Sequence, residues 1–368
     1  MLKINYPQDF DKNYIKAIGI TNDMRTTFKL IISKDPFLTR VYELDDILIA
    51  PFEELYKISK ELKYLYISNN DKETLKELLN YDNKKFTKKF HSSIKYFFEK
   101  NLNIKTCYFC NIDYINSFND ISDYHNKMDF IMRANENELC KIKDIGIVSA
   151  NEIIAKRDNI LSLRNIRNGK KIIKNVNKML LKEKYSHFTL DHLLDKGENP
   201  LIALSLYNLV PSCYSCNTKF KGRNQFIKKE SMTHLSSTSS EFKFDKDVKF
   251  KLYFFNGKRP SLIHSKKDFI LDFTYSNHED EYKNYIDIFK LKSRYIFHKD
   301  EVVEMVKNLR KYPQSRIDEI AKSVGIPSKQ IKKDIFGKEL FDGNLEDKSM
   351  TKFKRDIAES LGLISIKS

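Results

Sequence analysis

The chain has 368 residues, which is enough for two to four structural units and does not limit the size of the hydrophobic core. Lysine and arginine outnumber aspartate and glutamate by 66 to 50, and this net charge of +16 favours polyanionic partners, although a genome rich in A and T would also raise the lysine content. No run of 18 apolar residues occurs, which excludes a membrane-spanning helix, and MLKINYPQDF lacks the apolar segment of a secretory signal, so we expect a cytoplasmic protein.

Residues 1–104 are predicted to form a mainly helical N-terminal region. The segments ETLKELLN and FTKKFHSSIKYFFEKN place apolar residues at helical spacing beside many lysines. The earlier segments FKLIISK and VYELDDILIA are rich in β-branched and aromatic residues, so both helix and strand stay open for them.

The cysteines predict a metal site. Five cysteines are too few for a disulfide framework in a chain of this length, and four of them form two C-x-x-C pairs, Cys107 with Cys110 and Cys213 with Cys216. Two such pairs can complete a tetrahedral shell, so we expect structural Zn²⁺. The long gap between the pairs requires the intervening chain to loop out and return. Cys140 lies alone in that loop and is predicted to be an ordinary buried thiol.

The loop between the cysteine pairs contains a motif that is typical of DNA binding. Residues 105–225 are predicted to form one domain with a helical, basic insertion at 135–184. Within it, IKDIGIVSANEIIAKR (142–157) resembles the helix-hairpin-helix motif, in which two glycines flank an apolar residue and an alanine and paired isoleucines follow. The matching residues are Gly146, Ala150, Ile153 and Ile154.

The helix-hairpin-helix resemblance implies sequence-independent binding of double-stranded DNA. Such hairpins offer backbone N–H groups and a helix N-terminus to a phosphate, here at Gly146. Asp144 occupies the usual place of the first glycine, and an ordinary pair of helices is the alternative interpretation. Further cationic contacts are expected from Lys143, Lys156 and Arg157.

The segment HFTLDHLLDKGENPLIALSLYNLVPSCYSCNTKFKG (187–222) resembles the HNH, or ββα-metal, endonuclease family. In that family an Asp-His or His-His dyad, a central Asn and a final His or Asn surround one divalent ion. The corresponding residues are Asp191, His192, Asn208 and Asn217. The resemblance also implies a hairpin whose second strand includes LYNLV, followed by a helix that starts near Ser215.

The HNH resemblance implies a role for each of these residues. His192 would be the general base that deprotonates the attacking water. Asp191 and Asn217 would supply hard oxygen ligands to Mg²⁺ or Mn²⁺. Asn208 would hold the loop that carries His192. Lys219 and Lys221 are expected to reach flanking phosphates, whereas His187 is predicted to be structural.

After Gly222 the sequence contains a polar segment, then two segments of alternating apolar and polar residues, and then residues at helical spacing. SMTHLSSTSS is predicted to be a polar loop, and the alternation in FKFDKDVKFKLYFFNG and KKDFILDFTYS predicts two antiparallel strands, so residues 226–281 form a small β unit. Residues 282–368 show helical spacing and are predicted to form a helical C-terminal domain.

The C-terminal domain contains a weak resemblance to a helix-turn-helix. In IDEIAKSVGIPSKQIKKDIFG the spacing of Ala321, Gly325 and Ile331 fits such a motif, with Ser328 as the N-cap of the second helix. A pair of helices joined by a glycine turn without DNA contact is the alternative.

Together these features predict an α+β fold: a mainly helical, multidomain chain around a ββα-metal finger with structural zinc, plus a small antiparallel β unit. The resemblance implies a metal-dependent endonuclease acting on DNA, by analogy in bacterial defence against foreign DNA, with a regulatory partner such as an ATPase and no membrane association. Two alternatives stay open: a non-catalytic, zinc-bearing DNA-binding adaptor, and an HNH nuclease that acts on RNA.

Overall fold

The computed structural model describes residues 2–81, 87–118, 120–157, 164–178, 185–254 and 260–364. Over these residues it consists mainly of helices, together with two-stranded antiparallel sheets, so the predicted α+β class is confirmed. The chain divides into two compact units, one comprising Asn116–His187 and the other Met1–Ile115 with Phe188–Ser368.

The N-terminal region is built from amphipathic helices, as predicted. The segments FKLIISK and VYELDDILIA, for which helix and strand were both open, contribute to helices. Phe28 and Ile47 lie on the buried faces of these helices in the main core, and this burial overrides the β-propensity of the two residues. The Thr21 side chain begins the second helix by accepting a hydrogen bond from the Met24 backbone N–H at 3.2 Å. The helices are α1 (Phe10–Ile18), α2 (Asn22–Ile32), α3 (Leu44–Ile49), α4 (Phe52–Lys63), α5 (Asn69–Leu78) and α6 (Thr87–Asn101).

The unit Asn116–His187 has its own hydrophobic core, in which Phe130, Leu139 and Ala150 are fully buried. Its first and last strands pair with each other, with Phe118 opposite Tyr185, so the chain leaves and returns at neighbouring positions. The predicted insertion at 135–184 lies inside this wider unit. Its elements are β1 (Ser117–Phe118), α7 (Lys127–Arg133), α8 (Glu136–Cys140), α9 (Ile147–Lys156), α10 (Gly169–Asn177) and β2 (Tyr185–Ser186).

A short hairpin and a helical turn follow. Strand β3 (Thr189–His192) pairs antiparallel with β4 (Leu209–Ser212), and a π-helical segment, Ser215–Lys221, starts where the sequence predicted a helix. The predicted second strand began too early, since Leu206–Asn208 forms a 3-10 turn before β4.

The C-terminal part contains the two predicted strands, which pair along their whole length from Val248 opposite Tyr275 to Phe254 opposite Phe269. The predicted polar loop is instead a 3-10 helix, Glu230–Leu235, followed by serines 236, 237 and 239, all fully buried. The elements are α11 (Phe244–Asp247), β5 (Val248–Phe254), β6 (Phe269–Tyr275), α12 (Glu279–Ile288), α13 (Leu291–Phe297), α14 (Lys299–Lys311), α15 (Gln314–Val324), α16 (Ser328–Phe336) and α17 (Thr351–Ser360).

The N-terminal helices, the hairpin and the C-terminal elements share one hydrophobic core. A two-stranded sheet cannot bury its own apolar face, so neighbouring helices cover it. Phe250 of β5, for example, packs against Tyr295 and Phe353, with ring centroids 4.5 and 5.0 Å away. Among the described residues, no helix combines the length and apolar character required to cross a membrane.

The predicted helix-turn-helix corresponds to α15 and α16, which pack through Ile317, Ala321 and Ile331. Gly325 ends α15 with a φ of +68°, a conformation that favours glycine. The prediction that Ser328 caps α16 was wrong: Pro327 holds that position, and the Ser328 hydroxyl donates instead to Asp318 at 2.7 Å, back toward α15.

Candidate metal centre and active site

The two C-x-x-C pairs meet in the folded protein. The Sγ atoms of Cys107, Cys110, Cys213 and Cys216 all lie within 4.8 Å of one another, and all four residues are buried. Backbone N–H groups point at the sulfurs, from Cys213 to Cys107 Sγ at 3.3 Å and from Cys216 to Cys213 Sγ at 3.4 Å. Four converging thiols with this amide support are compatible with a structural metal such as zinc.

Arg294, on α13, is a partner of the cysteine cluster that the sequence did not reveal. Its guanidinium donates to Cys216 Sγ at 3.2 Å, to Cys110 Sγ at 3.4 Å and to Asp113 at 2.9 Å. Burial by itself would lower the pKa of Arg294, but the cysteine charges outweigh it and the pKa is raised. A cation here offsets the negative charge of four thiolates around one divalent ion.

Hydrogen bonds also fix the first cysteine pair to the C-terminal helices. The Tyr295 hydroxyl donates to the Cys110 carbonyl at 2.6 Å, and the Tyr285 hydroxyl donates to the Phe109 carbonyl at 3.2 Å. Asn111 has a φ of +54°, and its side-chain oxygen accepts from the Lys352 backbone N–H at 3.2 Å. No local sequence signal marks these contacts, because the partners are more than 170 residues apart.

The hairpin places Asp191 and His192 at the end of β3, and Asn208 secures the loop that follows. The Asn208 side chain accepts from the Leu194 N–H at 2.7 Å and donates to the carbonyls of Leu194 and Ile202 at 3.1 and 3.3 Å. Asn208 is fully buried. Its bonds therefore tie the residue just before β4 to the loop that follows β3.

The orientation of the His192 ring is set by a backbone carbonyl. Its Nε2 lies 2.9 Å from the Ala203 carbonyl oxygen, which can only accept, so Nε2 carries the proton and the neutral ring has its lone pair on Nδ1. The edge of the Tyr81 ring packs on the imidazole at a centroid distance of 4.6 Å, and His192 is only 7% exposed.

Asp191 is buried and only partly satisfied. Its Oδ1 accepts from Lys221 Nζ at 3.1 Å, whereas its Oδ2 has no hydrogen-bond partner in the described part of the chain. Burial raises the pKa of Asp191 to about 6, against the opposing effect of the Lys221 charge. A buried carboxylate oxygen without a partner is a suitable ligand for a hard cation.

Lys221 does not have the position that the sequence predicted. We expected it to reach DNA, but it is 2% exposed and also donates to the His192 carbonyl at 2.8 Å. The π-helical turns of Ser215–Lys221 direct the side chain under the hairpin, and Gly222 then ends the segment with a φ of +50°. Lys219, by contrast, is exposed.

Asn217 lies on the helical segment that packs on β3. Its Nδ2 donates to Thr189 Oγ1 at 2.9 Å, which leaves the carbonyl Oδ1 on the other side of the amide. An amide carbonyl oxygen is a hard donor of the type that Mg²⁺ and Ca²⁺ prefer.

The chain matches no family model, no curated protein and no solved structure.

An open cleft of about 650 Å³ lies beside the loop that holds His192. It is lined in part by Tyr81 and Ala203, which both contact the imidazole, and by three cationic and two acidic side chains. Lys196 Nζ lies 5.1 Å from the centre of the Tyr81 ring. The sequence did not single out these cations, which are Lys76, Lys196 and Arg223.

In the unit Asn116–His187, the predicted hairpin is formed by α8 and α9. Asp144 has a φ of +67°, so it adopts the left-handed turn for which the motif ordinarily uses glycine, and the Asn175 amide donates to its carboxylate at 2.8 Å. Gly146 is exposed at the N-terminus of α9. Lys143 and Lys156 are exposed, whereas Arg157 is partly buried and donates to the Ala134 carbonyl at 3.3 Å.

The same unit has further basic side chains that the sequence did not single out. They lie on and around α10, are exposed, and make no ion pair within the described ranges: Arg164, Arg167, Lys170, Lys174 and Lys178. His187 packs on Phe118 with ring centroids 4.7 Å apart, in keeping with the structural role predicted for it.

Proposed function

We propose that this protein is a metal-dependent endonuclease of the HNH type that hydrolyses phosphodiester bonds in DNA. The observation that carries the proposal is His192 at the end of β3, held by the Ala203 carbonyl in the tautomer that has its basic nitrogen at Nδ1. Asp191 adjoins it on the strand, Asn208 fixes the loop behind it and Asn217 lies on the following helix.

In this proposal each side chain has a chemical task. His192 Nδ1 removes the proton from the attacking water, the general-base task for which enzymes most often use an imidazole. Asp191 Oδ2 and Asn217 Oδ1 would hold Mg²⁺ or Mn²⁺, which when bound would neutralise charge developing on the phosphate. Lys221 balances the Asp191 charge from beneath the hairpin.

Two features support a DNA substrate. The cleft beside the His192 loop carries Lys76, Lys196 and Arg223, which suit a phosphate backbone. The unit Asn116–His187 combines a hairpin with an exposed helix N-terminus and an exposed basic surface around α10, which favours double-stranded DNA bound without sequence preference. Bacterial defence, a cytoplasmic location and control by a partner such as an ATPase belong to the same proposal by analogy.

The decisive experiment is cleavage of supercoiled plasmid by the purified chain with Mg²⁺ or Mn²⁺. His192→Ala should lower the rate at least 100-fold, because the water loses its base, while zinc content and circular dichroism stay unchanged. His264→Ala is a matched control, since His264 is exposed and contacts Arg310 rather than the hairpin. Equal rates for wild type and His192→Ala would refute the mechanism, and matched single-stranded DNA, duplex DNA and RNA would identify the substrate.

A second candidate function is a zinc-bearing DNA-binding adaptor without catalysis. The observation that favours it is the Lys221 ammonium, which already occupies one oxygen of Asp191 in the buried site. An adaptor would bind duplex DNA with unchanged affinity after His192→Ala and would cut no substrate with either metal.

A further inference from the structure

Away from the hairpin and the cysteine cluster, two histidines and a glutamate converge on one point. One ligand atom from each of His234, His278 and Glu281 lies within 4.8 Å of the others. Glu281 Oε2 is 3.1 Å from His234 Nε2 and 3.0 Å from His278 Nδ1. His234 belongs to the 3-10 helix Glu230–Leu235, whereas His278 precedes α12 and Glu281 lies in its first turn.

The protonation of His234 leaves a lone pair directed at this point. Its Nδ1 lies 3.0 Å from the Ser231 carbonyl oxygen, which can only accept, so Nδ1 carries the proton. Nε2 of the neutral ring is then an acceptor that faces the carboxylate oxygen of Glu281. Both atoms are buried without a hydrogen-bond partner among the described residues, and His234 as a whole is 6% exposed.

Two acceptors at 3.1 Å repel each other unless a proton or a metal ion lies between them. In a tetrahedral zinc site, with ligand bonds of about 2.1 Å, neighbouring ligand atoms are roughly 3.4 Å apart, close to the two distances seen here. The hydrogen bond from a ring nitrogen to a backbone carbonyl is also how proteins orient a histidine that binds metal through its other nitrogen.

We propose that His234, His278 and Glu281 form a second transition-metal site, separate from the four cysteines, and that Zn²⁺ is its preferred ion. Two imidazoles and one carboxylate suit Zn²⁺, whereas Mg²⁺ and Ca²⁺ require a shell of oxygen ligands. Three protein ligands leave one position for water. The ion would fasten the 3-10 helix Glu230–Leu235 to the start of α12. This site does not depend on the proposed nuclease activity.

Metal content measured by mass spectrometry tests the proposal. The full chain carrying Asp191→Ala, which removes the proposed catalytic ligand, is equilibrated with micromolar Zn²⁺ and freed of unbound ion. We expect two zinc ions per chain in this parent protein. We expect one zinc ion per chain when His234→Ala or Glu281→Gln is introduced into the same parent. His264→Ala, which alters an exposed histidine outside the cluster, should keep two. One ion in the parent chain, or two in the Glu281→Gln variant, would overturn the proposal.

A spectroscopic measurement separates this site from the cysteines. With Zn²⁺ in the cysteine site, Co²⁺ should add a weak visible band without the near-ultraviolet charge transfer of a cobalt thiolate, and Glu281→Gln should remove that band. Gln keeps the size of the side chain, so the fold is expected to survive, and circular dichroism checks it. If that variant unfolds, His278→Ala tests the same site, because His278 is half-exposed. A band that persists in a folded ligand variant would contradict the assignment.

Discussion

At the scale of single residues, two ionisable groups at the hairpin, the Asp191 carboxylate and the Lys221 ammonium, are buried where charge is unfavourable. Asp191 is buried with one oxygen unpaired, and Lys221 is buried beside it. Such a pair is costly to remove from water, and loss of one partner leaves an uncompensated charge. The fold therefore holds the Asp191–Lys221 pair at an electrostatic cost.

Asp191 should make stability depend on pH. Its carboxyl has an ordinary pKa of 3.8 and a pKa of about 6 in the folded protein. Between these values the folded state holds a proton that the unfolded chain has released, so the free energy of unfolding decreases as the pH rises from about 4 to about 6. The loss is on the order of 2 to 3 kcal/mol and levels off above pH 6.

Urea denaturation of the metal-chelated protein from pH 4 to pH 7 measures this effect. The difference in unfolding free energy between wild type and Asp191→Asn should fall across that window, because the variant has no carboxyl to titrate. Asp300→Asn, at an exposed carboxylate, serves as the control. Parallel pH curves for wild type and Asp191→Asn would show that burial does not raise this pKa.

At the scale of elements, α13 completes the cysteine site. Its Arg294 donates to the sulfurs of Cys216 and Cys110, and its Tyr295 donates to the backbone carbonyl of Cys110. The helix α13 thus contacts cysteines from both of the distant C-x-x-C pairs.

Arg294→Met should weaken zinc binding by about 10- to 100-fold, the usual effect of removing an outer partner of a metal ligand. Methionine preserves most of the buried volume but donates no hydrogen bond to sulfur. The rate of zinc transfer to a chromogenic chelator measures the change. Arg310→Met is a matched control, because Arg310 contacts His264 and Ile263 instead. An unchanged transfer rate would mean that Arg294 serves packing alone.

At the scale of the whole molecule, the first and last residues of the unit Asn116–His187 are hydrogen-bonded to each other. The His187 N–H donates to the Asn116 carbonyl at 2.8 Å, and β1 pairs with β2 beside this contact. The unit also keeps its apolar residues in a core of its own. Replacing it with a short glycine-serine linker should therefore leave the rest of the chain folded.

The shortened chain should retain its zinc but bind duplex DNA at least 10-fold more weakly and with a smaller dependence on salt, because the basic side chains around α10 are gone. Zinc analysis and fluorescence anisotropy at several salt concentrations give both results. Undiminished DNA affinity with an unchanged salt slope would place the DNA-binding surface in the remaining unit.

The sequence by itself determined the features that depend on local spacing. The C-x-x-C pairs and the strands β5 and β6 follow from patterns within short windows, and the structure brings the four cysteines together and pairs the two strands. The alternation of Val248, Phe250 and Leu252, for instance, directly predicts which face of β5 is buried.

Only the tertiary structure decided which distant residues complete these sites. Lys221 is an ordinary basic residue in the sequence, and its burial against Asp191 follows from the path of one helical segment. Arg294 and the cluster of His234, His278 and Glu281 are brought to their partners by packing in the shared core. Local patterns report the neighbours of a residue along the chain, whereas burial and long-range hydrogen bonds depend on how apolar faces from the whole chain are covered.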